Sequence, residues 1–131
     1  MNIHTSRRVL QISVGILALV PLSASLAGIL YGPTAFTAPG LPFPTDLDSH
    51  FRYLSGIFLA VGFGFLSCIP RIETKGAHFR LLTLLVVTGG LARLLSLLLT
   101  GAPSPPHLAG LGLELIVVPL LALWQRRISG P

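Results

Sequence analysis

Charge is scarce in this chain. Only 10% of its 131 residues are Asp, Glu, Lys or Arg, against about a quarter in an ordinary soluble domain. Acid is scarcer still, with four Asp and Glu residues against nine Lys and Arg. Cysteine is nearly absent: Cys68 stands alone, which excludes an intrachain disulfide and leaves any cysteine-based metal site short of ligands. Its expected role is that of a small apolar filler. The usual catalytic signatures are missing too, with no Gly-x4-Gly-Lys phosphate loop, no Gly-x-Ser-x-Gly elbow, no His-Glu-x2-His helix and no Cys-x2-Cys pair. Gly62 and Gly64 match only the start of a dinucleotide fingerprint, inside an apolar block. The chain is therefore not expected to be an enzyme, and no cofactor is expected.

Apolar residues are what the chain has in quantity. They make up 52% of it, and its mean hydropathy is +0.82. They are gathered into four blocks, residues 9–31, 51–69, 79–100 and 107–125. At 1.5 Å rise per residue each block reaches across a hydrocarbon core of about 30 Å. Without water in that core the backbone must satisfy its own hydrogen bonds, so blocks of this length should be helices. The expected fold is an all-α, integral membrane four-helix bundle forming a single domain over residues 1–131, with local bends at Pro21 and Pro119.

The net charge of +5 does not point to nucleic acid, because the basic residues flank the blocks and form no solvated patch. Arg71, Lys75 and Arg80 border the connection between the second and third blocks, and Arg7, Arg8, Arg126 and Arg127 lie at the two ends. The connections 32–49 and 101–106 hold no Lys or Arg. By the positive-inside rule both termini and the connection 72–78 should be cytoplasmic, in a multi-pass protein of a bacterial inner membrane. Trp124 is expected as an interfacial anchor, and His4 and His78 as solvated residues. The first block could instead be a signal peptide cleaved after Ala27, but its apolar stretch continues to Tyr31, so an uncleaved helix is expected. The outer connection 32–49 has Pro33, Pro39, Pro42 and Pro44, with Phe36, Leu41 and Phe43 between them, and should be a packed irregular loop in preference to a lid.

Small residues suggest close helix approach: Gly56, Ala60 and Gly64 with Gly62 adjacent, Ala24 and Gly28, and the Gly89-Gly90 pair. They fit a tight bundle or a homodimer through one seam.

Two charges fall inside the third and fourth blocks. Arg93 precedes the end of its block, Thr100, by seven residues, and Glu114 follows the start of its own, His107, by seven. Both should lie about 10 Å below the same surface and pair. Gly89, Gly90, Arg93 and Ser96 are expected on one stripe, and His107, Gly110 and Glu114 on its counterpart. Asp48, as an N-cap, and Arg52 at i, i+4 open the second block. Asp48, His50, Arg52, Arg93, His107 and Glu114 are thus the candidate ligand-binding set. A metal site from His50, His107 and a carboxylate lacks diagnostic spacing and is not expected.

The segments LDSHFRYLS (47–55), PRIE (70–73), GGLARLLS (89–96) and LELIVVPLLALWQRR (113–127) resemble a family of small bacterial membrane proteins, domain-of-unknown-function family 4345. That resemblance implies a four-helix membrane protein and supplies no activity. A fainter similarity to DoxX-like four-helix proteins rests on size and helix count alone. The expectation is a non-enzymatic membrane protein whose partner is the lipid bilayer and whose outer-leaflet polar cluster stabilises the bundle and holds a small or lipidic anionic ligand. The alternatives are a small proton-coupled transporter subunit using Glu114, and a redox or quinone-associated accessory protein.

Overall fold

The structure is a computed structural model that describes residues 2–40 and 42–130. Among the described residues it is helical with no strand: α1 (Ile3–Tyr31), α2 (Thr45–Cys68), α3 (Gly76–Thr100), α4 (Pro105–Gly112) and α5 (Val118–Ile128), with short 3-10 turns at Gly32–Phe36 and Ile69–Arg71 and a π turn at Leu113–Val117. α4, the π turn and α5 run on as one helix, so four helices are long and apolar enough to cross a membrane. Their surfaces agree with that solvent. Between 6% and 22% of an apolar 18-residue stretch in each span is buried, and Leu98 and Leu99 are each 73% exposed. Apolar surface of that extent is stable only against hydrocarbon, and the chain is a multi-pass membrane protein.

Each helix starts earlier than its apolar block, because the block records only the part in lipid. α1 begins at Ile3, not at residue 9, because Asn2 supplies an N-cap: its Oδ1 accepts the His4 N–H at 3.3 Å. α2 begins at Thr45, not at residue 51. Pro44 precedes it, and Asp46 and Asp48 complement the helix dipole in its first turn. Asp48 is therefore not an N-cap; it lies a turn inside, its N–H bonded to Pro44 O at 3.1 Å. The connection expected to be irregular over 32–49 shrinks accordingly, since proline obstructs a helix interior but suits a first turn, as Pro33 does in the 3-10 turn. The ring of Phe36 packs on that of Phe51, centroids 5.9 Å apart. Leu41, expected to pack in this connection, lies outside the described residues. α3 and the last helix begin at Gly76 and Pro105 and end at Thr100 and Ile128, against 79–100 and 107–125 expected.

Contacts divide the chain into two compact units, Ser13–Ser67 and Met1–Ile12 with Cys68–Pro131. In the first, α1 and α2 approach at two glycines. A Cβ on Gly28 would meet Ser55 Oγ and lie 3.1 Å from Ser55 Cβ, and one on Gly62 would lie 2.8 Å from Leu22 Cδ2. Of the seam expected at Gly56, Ala60 and Gly64 with Gly62 adjacent, Gly62 makes this approach, whereas nothing approaches a Cβ at Gly56 and Ala60 is exposed. In the second unit α3 packs along α4, the π turn and α5. Its inward row is Phe79, Val86, Gly90 and Arg93, at helical spacings of seven, four and three.

The Gly28 approach yields a reciprocal test. Gly28→Ala should lower thermal stability in detergent by about 1–3 kcal/mol through overpacking, and Ser55→Gly added to it should restore part of the loss. No recovery in the double variant would mean that Ser55 is not what limits the approach.

Candidate functional site

α3 carries Arg93 seven residues, nearly two turns, before its end at Thr100, and the π turn carries Glu114. Arg93 Nε–H donates to Glu114 Oε2 at 3.0 Å, and its Nη2 donates to Oε1 at 3.1 Å. This side-on fork engages both carboxylate oxygens. The third guanidinium nitrogen, Nη1, lies 3.0 Å from His107 Nδ1. A guanidinium has no acceptor, so Nδ1 must accept, which places the proton of a neutral His107 ring on Nε2. Glu114 is buried, its side chain 12% exposed, and that of Arg93 is 34% exposed. An unpaired charge at the middle of a spanning helix costs about 2.5–3.5 kcal/mol on insertion scales, and the fork offsets much of that cost for both residues.

The backbone is shaped to admit this pair. Pro119 has no N–H, so the Leu115 carbonyl has no donor four residues on. Just upstream the helix widens: the Val118 N–H reaches back five residues to Leu113 O. Such π turns commonly mark functional positions, and Glu114 is the second residue of this one. Gly90 receives the widened turn, for a Cβ there would lie 2.9 Å from Glu114 Cβ and 2.8 Å from Leu115 Cδ2. Gly110 faces the guanidinium, Arg93 Cζ being 4.0 Å from the position of its missing Cβ. The four-residue stripe expected on α3 is corrected by these contacts. Gly90 and Arg93 face the partner helix, whereas Gly89 and Ser96 are exposed, and Ser96 O accepts from Thr100 Oγ1 at 2.8 Å. Gly89, adjacent to Gly90 and turned about 100° from it, lies off the contact row.

The remaining candidates belong to the other unit. Arg52 Nε donates to Asp48 Oδ2 at 2.8 Å, and its Nη1 donates to the carbonyls of Ile29 and Leu30. Those carbonyls end α1 and lack intrahelical donors, so Arg52 caps the helix. Gly32 completes that end with φ +63°, and a Cβ on it would collide with Asp48 Oδ1. His50 is exposed. The structure thus joins Arg93, His107 and Glu114 in one unit and Asp48 and Arg52 in the other. Among the described residues no group of three or more His, Cys, Asp or Glu side chains could hold a metal ion.

A third polar region escaped the sequence reading. Gln125 is fully buried and its Nε2 donates to Ile72 O and Ser129 Oγ, both at 2.8 Å, while its Oε1 has no partner. Arg7 pairs with Glu73 at 3.1 Å and Gln11 Nε2 donates to Ile69 O at 2.6 Å. Trp124, expected only as an interfacial anchor, also donates its indole N–H to Ser6 Oγ at 2.8 Å. The signal available in the sequence is a pair of amides, Gln11 and Gln125, at the ends of apolar blocks. His4 and His78 are exposed, and Cys68 is buried.

The two adjacent glycines of α3 separate packing from helix propensity. Gly90→Val should cost about 1–3 kcal/mol by forcing the π turn away, and Gly89→Val should be nearly neutral, both measured by thermal unfolding in detergent. Equal effects at the two positions would contradict the close approach at Gly90.

In comparison with known proteins, the model of the family described as "Domain of unknown function (DUF4345)" matches residues 9–125, nearly the whole chain. No curated protein and no solved structure matches it.

Proposed function

The chain belongs to the DUF4345 family, and from that premise we propose that it is a non-enzymatic protein of a bacterial inner membrane with both termini in the cytoplasm. In this reading the cluster of Arg93, His107 and Glu114 holds α3 and the last helix in register and receives a small or lipidic anionic ligand near the outer face. The side-on fork between Arg93 and Glu114 carries the reading. Two charges that would each be costly in hydrocarbon neutralise one another across two helices, which fixes both depth and rotation. Of the five guanidinium N–H groups, three are used by Glu114 and His107. The partly exposed remainder of Arg93 is what would meet an anion. Proton transport through Glu114 would have to open both bonds of the fork in each cycle, and a redox role would need a cofactor.

Four versions of the protein test the lock: wild type, Glu114→Gln, Arg93→Leu and the double variant. Each single change should cost about 2–3 kcal/mol, somewhat less than for a fully buried pair, and the double variant should be more stable than at least one single. Strict additivity, or a harmless Glu114→Gln, would remove the lock and favour a titrating carboxylate. For the ligand, added small anions should raise the thermal midpoint of wild type and leave that of Arg93→Leu unmoved; an equal shift in both rejects Arg93 as the contact.

Topology has its own measurement. In a Cys68→Ala background, Ala38→Cys should react with a membrane-impermeant maleimide in spheroplasts, and His78→Cys only after permeabilisation. The opposite pattern would invert the orientation.

A further inference from the structure

The start of α1, the segment 69–73 and the end of α5 are tied together at one end of a single compact unit. The ties are those from Arg7 to Glu73, Gln11 to Ile69, Trp124 to Ser6 and Gln125 to Ile72. That end is strongly basic. Arg8, Arg71, Arg80, Arg126 and Arg127 are exposed and Lys75 is half-buried, and the one carboxylate among them in sequence, Glu73, is taken by Arg7. Beside α1 lies a cavity of about 250 Å3 lined by His4, Thr5, Arg7, Arg8 and Gln11. Two of its lining residues are tied to the 69–73 segment, Arg7 by Glu73 and Gln11 by Ile69 O at 2.6 Å.

The depth of this cavity limits what can occupy it. Four of its five residues form the turns directly before the apolar run that opens at Val9 and Gln11 lies just inside it, so it sits where a bilayer carries its phosphates. His4, Arg8 and Ile12 are spaced by four and lie on one stripe of α1, and Ile12 is 62% exposed. A ligand on that stripe meets imidazole and guanidinium first and lipid-facing apolar surface next. We propose that the cavity binds the phosphodiester headgroup of an anionic glycerophospholipid, with Arg8 and His4 contacting the headgroup and the Arg7–Glu73 pair forming a fixed wall. Basic recesses at the ends of spanning helices are suited to such headgroups, and each Lys or Arg near the surface strengthens attraction to anionic lipid about fivefold. The site is separate from the Arg93 cluster and does not rest on the role assigned to that cluster.

The test uses the full chain purified in detergent, with phosphatidylglycerol or phosphatidylcholine of matched acyl chains added, and reads lipid retention by native mass spectrometry and the thermal midpoint. Wild type should retain phosphatidylglycerol preferentially and gain stability from it. Arg8→Gln should weaken that retention about fivefold while its midpoint in phosphatidylcholine stays that of wild type. Arg126→Gln, also exposed but outside the cavity, should change little. Equal retention of the two lipids would overturn the proposal. So would equal losses in the two variants, which would mean a diffuse charged surface, or full stabilisation by inorganic phosphate alone, which would mean a free-anion site.

Discussion

A polar group inside hydrocarbon must find its partner within the chain, and the arrangement described above follows from that requirement. Backbone groups meet it by forming helices. Arg93 and Glu114 meet it by forking together, and His107 meets it by accepting the third arm of the guanidinium. The requirement also explains where small residues stand. Gly90 and Gly110 are not general softeners of the helix packing; they clear space on either side of one ion pair, so that two backbones come close enough for short charged contacts.

Arg52 and Arg93 show two uses of one side chain. Arg93 neutralises a carboxylate from another helix. Arg52 holds Asp48 on its own helix and turns its remaining donors to the carbonyls that end α1. Arginine suits both tasks because its donors are spread in a rigid plane and cannot be deprotonated. The second use builds a turn: with Arg52 covering the carbonyls and Gly32 at positive φ, α1 can stop abruptly and lead into the proline-bearing connection.

What could be read from the sequence depended on whether the signal was local. Hydropathy located four helices because lipid imposes length and apolarity on every spanning segment. It misplaced their starts, since Asn2 and Pro44 act in water, where polar residues extend a helix without contributing to an apolar block. Equal distances from the connection led to Arg93 and Glu114, the two residues the structure joins, because antiparallel neighbours convert sequence distance directly into depth. Rotation was harder. Residue spacing puts Gly89 on the inward stripe beside Gly90, yet one residue is a rotation of about 100°, enough to leave Gly89 exposed. The capping role of Arg52 depends on tertiary approach, so only its i, i+4 partner was visible. The polar ties of Gln11 and Gln125 were missed for the same reason.

The π turn sets the phase of everything after it. A wide turn holds one residue more than the α-helix would use, so the last helix is two α segments joined out of step. Leu121, Gln125 and Ile128, buried on α5, depend on that offset for their facing. Shortening 113–117 by one residue would leave composition and hydropathy almost untouched, yet it would swing those three side chains through about 100°. The buried amide of Gln125 would be carried toward lipid. Length in this segment is therefore constrained by geometry: substitutions that keep the count of residues are far less disruptive than an indel.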